Sequence, residues 1–322
     1  MLRCLTMLLA LTAGFGVSTH ANAQGGFPNT TVKLVVPTAP GGPLDVMGRL
    51  IAEPLREVLG QPVIVENRPG GALMVGANAV AKSTPDGHTL LLSNDGPISI
   101  NPNLYKSMPY DPKKELMAVT MVVNAPFILV VNPDVAAKTV AEFIALAKAN
   151  PGKINFASGG NTSRLAAELF RLSAGIEIVN VPYNGSGQAI VGVVRGDAQM
   201  MIDGLTSSLP HVQSGKLRAL GVGTPQRLPD MPEFPAVAET VPGYTGSTWL
   251  GMFAPAGTPA DVVSKLQTAV AKAVQRPDIR EKLVKLGMYP VANTPAEFAK
   301  LVEADTEKWG RVIRDAKIEK VE

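Results

Sequence analysis

The chain has 322 residues, 46% of them hydrophobic and 18% charged, a balance that excludes a disordered polymer and leaves room for two lobes with cores of their own. Its 30 basic and 27 acidic residues give a net charge of only +3, and the basic side chains are scattered, which argues against nucleic acid or an anionic membrane as a partner. A single cysteine, Cys4, excludes a disulfide within the chain.

Arg3, the apolar run Leu5 to Val17 and the small residues Ala21 and Ala23 before Gln24 have the form of a cleaved secretory signal over residues 1–23. The apolar run is shorter than a bilayer-spanning helix. Cleavage would remove Cys4 and leave two histidines, His88 and His211.

Thr31 to Pro37 is β-branched and apolar and predicts a strand. It runs into Pro40-Gly41-Gly42-Pro43, a turn that opens into an amphipathic helix over residues 44–59. A helix starting there leaves its first N–H groups unpaired beside a partial positive charge, so a carboxylate can dock without a basic side chain. Asp45 falls near the third helical position, within reach of the capping N–H. Pro54 is expected to kink this helix. Strands over 62–66 and 88–93 follow, separated by the turn Asn67 to Gly71 and a helix over 72–82. The third strand ends at Asn94 and Asp95, which serve either the turn or the ligand. Three strand, turn and helix units predict a parallel sheet with its loops along one edge.

A proline-punctuated connection over 97–117 leads to two strand-like runs, 119–123 and 127–131, where the chain is expected to cross into a second lobe. There the opening pattern returns. A helix over 140–150 and a strand over 154–157 precede the turn Ser158-Gly159-Gly160-Asn161-Thr162-Ser163, with a helix from Arg164 to Ala174. A strand over 176–181 ends at Pro182-Tyr183-Asn184-Gly185, a helix covers 188–195, and a strand over 199–202 ends at Asp203. Strand 217–222 is the lobe's last. Residues 224–242 read as the return crossing, after which 249–254 rejoins the first sheet. Helices over 260–275, 278–286 and 294–315 complete the chain, the last announced by the capping signal Thr294-Pro295-Ala296-Glu297. The expected division is a signal at 1–23, a first lobe over 24–123, a second over 124–224, and a return crossing with the rest of the first lobe over 225–322. Loops facing each other across the lobes predict a crevice suited to a small molecule.

The segments APGGPLDVMGR at 39–49, VENRPGGALMVGANAVAKSTPDGHTLL at 65–91, INPNLYKSMPYDP at 100–112, VPYNGSG at 181–187 and APAGTP at 254–259 together give the chain a family resemblance along its mature length. It resembles the periplasmic substrate-binding proteins of tripartite tricarboxylate transporters, the Bug family. The resemblance implies a two-lobed α/β periplasmic-binding-protein fold of type II-like form, each lobe a mainly parallel sheet flanked by helices. It also implies capture of a small carboxylate, a dicarboxylate or an aromatic acid, for delivery to membrane subunits. The acid would be held by backbone groups and bridging waters of two glycine loops, which match Pro40 to Asp45 and Ser158 to Ser163. In that family the second helix usually opens with a histidine, where this chain has Arg164. That arginine either pairs with a second carboxylate or faces solvent at the rim, the arrangement more common for arginine.

Enzymatic readings fare poorly. Two isolated histidines without a cysteine supply neither a nucleophile and base pair nor a transition-metal site, so neither catalysis nor a cofactor is expected. Asp203 either accepts a hydrogen bond from a ligand or caps the following loop. Tyr183 offers a ring wall or a hydroxyl, or else packs in the core, and Trp249 reads as core. Valine at Gly41 or Gly159 is expected to cost affinity more than stability. A monomer suffices, and presentation of ligand to a membrane sensor kinase remains the alternative to transport.

Overall fold

The computed structural model describes residues 26–322, so the expected signal at 1–23 lies outside the described residues. Lobe 1 opens with β1 (Val32–Val36), α1 (Pro43–Leu59), β2 (Val63–Asn67), α2 (Met74–Ala81) and β3 (Thr89–Asn94). A connection with two single-turn helices, α3 (Asn101–Leu104) and α4 (Pro112–Glu115), leads into β4 (Leu116–Val131). Lobe 2 contains α5 (Val140–Ala149), β5 (Ile154–Ser158), α6 (Asn161–Ala174), β6 (Ile178–Pro182), α7 (Ser186–Arg195), β7 (Met200–Gly204), α8 (Leu205–Gln213) and β8 (Arg218–Val222). The chain returns through β9 (Ser247–Pro255) to α9 (Ala260–Gln275), α10 (Pro277–Lys285), the short β10 (Tyr289–Pro290) and α11 (Pro295–Asp315).

The strand order is β2-β1-β3-β9-β4 and onward β4-β7-β5-β6, with β8 and β10 also paired to β4. Strands β1, β2 and β3 are parallel, as are β5, β6 and β7, whereas β9 runs antiparallel to β3 and β4 antiparallel to β9, β7 and β8. β4 is a single strand of 16 residues rather than the two runs expected from Asn124-Ala125-Pro126. Its first part pairs with β9 as far as Pro126, and Phe127 to Val131 pair with β7 and β8. The missing N–H of Pro126 thus falls where the ladder changes partners, a position a sheet tolerates.

The way back also differs from expectation. Val237, Val241 and Tyr244 are buried in the lobe 2 core, and Val222 pairs with Ala236, so the proline-rich stretch belongs to lobe 2. Irregular backbone can still anchor a core through a few large apolar side chains, which proline content alone does not reveal. The return crossing lies at Gly246-Ser247. There Phe127 N donates to Gly246 O (3.0 Å), Gly246 N to Gly223 O (2.8 Å) and Gly223 N to Phe127 O (2.7 Å), a closed triangle of backbone hydrogen bonds between the lobes.

In lobe 1, Met47 and Ile51 of α1 meet Leu266 and Val270 of α9 on one face of the sheet. On the other face Trp249, 3% exposed, packs edge-on to Phe298 at 5.1 Å, as its core reading requires. Lobe 2 is filled by Phe143, Phe156 and Phe170 on one face and by Ala189, Ile190 and Val193 of α7 on the other. α6 joins the two lobes, since its Leu165 packs with Ile100, Leu104, Trp309, Val312 and Ile313 of lobe 1. α1 runs from Pro43 to Leu59 through Pro54.

Candidate functional site

The C-terminal ends of β1, β5, β6 and β7 lead into helix starts of one kind. α1, α6, α7 and α8 are N-capped by Gly42, Gly160, Gly185 and Gly204, none of which has a side chain to satisfy the first-turn N–H groups. Side-chain caps occur at three other helices: Thr139 accepts from Glu142 N at α5, Asp111 from Lys113 N at α4, and Thr294 from Glu297 N at α11, whereas α2, α3, α9 and α10 start without one and without a capping glycine. The four glycine-capped starts place unpaired donors and positive helix ends along one edge of the sheet.

The lobe 1 loop is organised by Asp45. This buried carboxylate accepts from Gly41 N (2.9 Å), Arg49 Nε (3.0 Å) and Asn67 Nδ2 (2.9 Å). The Arg49 hydrogen bond, then those of Gly41 and Asn67, hold its carboxyl down to about 2 against the opposing effect of burial. Asp45 therefore shapes the turn, while Pro40, Gly41 and Pro43 stay exposed. Asp45→Ala should lower the stability by about 2 kcal/mol, because Asn67 and the Gly41 N–H lose their acceptor. Because the carboxyl is lowered from 3.8, its contribution is present above that pH and lost on acidification towards about 2. Denaturant midpoints of the two proteins should accordingly converge in acid, and a constant gap would reject the assignment.

Lobe 2 repeats the geometry with a neutral group. Gly159 N donates to Ser163 Oγ (3.0 Å), which itself donates to Gly160 O (3.1 Å). Gly159 lies against the start of α7, where an added Cβ would sit 2.5 Å from Ser186 N. Valine there must disrupt the fold, which corrects the expectation of an effect on affinity more than on stability. Gly41 has φ +89, so valine is strained there as well. Ser158 is buried and donates sideways to Asn180 Oδ1 of β6 (2.7 Å).

The strand ends of the two lobes meet at Asp95. Its Oδ1 accepts from Thr162 Oγ1 of α6 (3.1 Å) and Thr248 Oγ1 of β9 (2.9 Å). Beside it Asn161 Nδ2 approaches Asn101 Oδ1 (3.4 Å), and Asn101 Nδ2 donates to Ala72 O (3.0 Å). Asn94 is turned to its own chain, accepting from Gly96 N. Gly70, Gly71, Ala72 and Leu73 all have positive φ, two of them without the freedom of glycine, so the turn after β2 is strained where it reaches this cluster.

Arg164 is half-buried, and its Nε is fully buried without a partner among the described residues. Asp203 is 5% exposed and accepts from Ser186 Oγ (3.0 Å), while its Oδ2 has no partner. Burial pushes its carboxyl up to about 6, against the Ser186 and Gly204 hydrogen bonds. Tyr183 points along α7, its hydroxyl 2.3 Å from where a Cβ of Gly192 would lie, so the ring covers a helix face. Asn101, Ser186 and Thr248 were not singled out from sequence. Asn101 and Ser186 adjoin visible turns, but Thr248 sits in a strand more than 150 residues from Asp95 and carries no local signal. A surface depression beside Asn132, Lys153 and Arg195 lies at the opposite edge of lobe 2, and its Asn132 amide is engaged with Val193 O.

Two α/β lobes joined at narrow crossings, with glycine-capped helix starts at the strand ends, have the architecture of a solute-binding receptor. The sequence profile of the tripartite tricarboxylate transporter family receptor matches residues 47–318, and the chain belongs to that family. It is 34% identical to Protein BugT of Bordetella pertussis over 319 residues, 98% of each chain. Among solved structures it is similar to Rpa4515 of R. palustris with adipate (34% identity, TM-score 0.83, covering 92% of this chain and 100% of that one). It is likewise similar to MatC of Rhodopseudomonas palustris with bound malate (32% identity, TM-score 0.78, covering 89% and 100%). The fold is thus the two-lobed periplasmic-binding-protein fold, and its family consists of receptors rather than enzymes. Among the described residues no helix is long and apolar enough to cross a membrane.

Proposed function

We propose that the protein captures a small carboxylate, a dicarboxylate or an aromatic acid, between its lobes and delivers it to the membrane subunits of a tripartite tricarboxylate transporter. The observation that carries this reading is the set of glycine-capped helices, whose free N–H groups suit an anion without a basic side chain. One carboxylate would lie between the Pro40-Gly41-Gly42-Pro43 turn and the Gly160-Asn161-Thr162 turn, with Asp45 and Ser163 holding the two turns in shape. Adipate in one relative and malate in another favour a two-ended acid here. Arg164, with its unpartnered Nε, is the group to meet the second end. The protein acts as a periplasmic monomer after loss of residues 1–23, and contact with both turns draws the lobes together. Membership of a transporter family favours delivery over presentation to a sensor kinase.

A thermal-shift screen of residues 24–322 against mono-, di- and tricarboxylates, aromatic acids and phosphate tests the reading. Ligand at 100 times its dissociation constant adds about 2.7 kcal/mol to the folded state. Folded, ligand-free protein that shifts with none of the acids would reject it. Arg164→Ala should weaken a diacid by about 1–3 kcal/mol and leave a mono-acid unaffected, as calorimetric titration can read. Equal losses for both would remove Arg164 from the distal position.

A further inference from the structure

Asp95 combines features that a structural turn residue does not need. It is fully buried, yet both of its donors, the Thr162 and Thr248 hydroxyls, address the same oxygen. The other oxygen, Oδ2, is buried with no partner at all. An ionised carboxylate in that position leaves a charged atom desolvated and unpaired, which is the costly arrangement. No cation is paired with it among the described residues. α11 presents Asp305, a like charge, and Lys308, which is paired at 2.7 Å with Asp305 rather than with Asp95. β9 presents the neutral Thr248, and residues 96–100 carry no charged side chain. On α6 the only first-turn cation is Arg164, which makes no ion pair among the described residues. Burial first, and then Asp305, push the Asp95 carboxyl up to about 7, against the two hydroxyls and Lys308.

The position matters as much as the burial. Thr162 belongs to the first turn of α6, the helix start that takes the ligand carboxylate under the proposed function, on which this inference rests. Two anions at one helix start repel each other, and the ligand, with ordinary carboxyl groups, stays ionised near neutrality. We propose that Asp95 makes acid binding proton-linked: the crevice holds its anionic ligand with Asp95 neutral, so that each binding event above neutrality draws one proton from solvent onto Oδ2. Asp95 is a positioning residue in this scheme. It ties the α6 turn to the hinge strand β9 and sets how strongly a charge is tolerated beside it.

The sign is fixed. Asp95 is neutral below its pKa and ionised above it, so affinity is highest on the acidic side and falls as pH rises. Calorimetric titration of residues 24–322 with adipate and with malate, from about pH 6.5 to about pH 8.5, should show roughly tenfold weaker binding at the alkaline end. Parallel titrations in buffers of different ionisation enthalpy should report proton uptake. Asp95→Asn keeps an acceptor for both threonines and has no charge, so its affinity should be flat across the range. Thr248→Val removes one donor to the ionised form and should move the decline to higher pH. A purely structural role for Thr248 would instead lower affinity equally at every pH.

Binding of either acid with the same affinity throughout, or an unchanged slope in Asp95→Asn, overturns the proton linkage and leaves the receptor intact. Should Asp95→Asn fail to fold, a decline that stays at the same pH in Thr248→Val overturns it equally. Absence of binding by either acid at every pH, with no hit in the wider acid screen, overturns the receptor reading and the linkage with it.

Discussion

Gly223→Ala should lower the stability by at least about 3 kcal/mol, enough to drop the melting temperature by roughly 6–12 °C or to prevent soluble expression. An added Cβ would lie 1.9 Å from Gly246 O and 2.7 Å from Gly246 C, both backbone atoms of the other crossing. Neither can yield without breaking the triangle in which Phe127, Gly223 and Gly246 exchange all three backbone hydrogen bonds. A flexible side chain could swing aside; a carbonyl fixed in a strand junction cannot. Gly187→Ala is the control, since an added Cβ there meets nothing within 4 Å, and its melting point should stay within a degree or two. Equal behaviour of the two variants would mean that the crossings are not held as described. If the lobes close on the acid as proposed, they would pivot at this junction, so any surviving Gly223→Ala protein should also bind acid more weakly.

The fold was readable wherever local chemistry decided the outcome. The Thr294 to Glu297 signal became a capping box at the start of α11, and Pro43 stands at the first position of α1. The glycine turns at 40–43 and 158–163 showed because their consequence, a helix starting without a side-chain cap, is written in adjacent residues. Non-local pairings were hidden. Whether Asn124-Ala125-Pro126 interrupts a strand depends on the partner at that point, and here the partner changes there without a break. The burial of Tyr244 among Phe170 and its neighbours depends on residues more than 70 positions away. α8 escaped notice because Leu205 to Gln213 contains Pro210 and few apolar side chains. In the candidate site, Asp45 and Ser163 illustrate the same limit. Sequence placed both beside a turn, but only the hydrogen bonds show them bracing the loops, with Gly41 N and Gly159 N as donors.

Gly160→Val separates the crevice from the scaffold. Gly160 is extended, with φ 160 and ψ 178, a conformation open to a β-branched residue, and an added Cβ meets nothing within 4 Å. Stability should therefore remain within about 1 kcal/mol of the parent. The isopropyl group, however, would stand over the first-turn N–H groups of α6, which the proposed function assigns to the ligand carboxylate. Losing two hydrogen bonds to a charged group, at about 1.5–3 kcal/mol each, amounts to a hundredfold or greater loss of affinity, about 2.7 kcal/mol per hundredfold. Gly159→Val should show the opposite partition, since its added Cβ collides with the backbone at Ser186 and Gly185 and the loss appears as unfolding. A calorimetric titration beside a melting curve for each variant reads both quantities. If Gly160→Val melts like the parent and binds its acid unchanged, the α6 helix start is not where the carboxylate lies, and the anion must be sought at the uncapped starts of α1, α7 or α8.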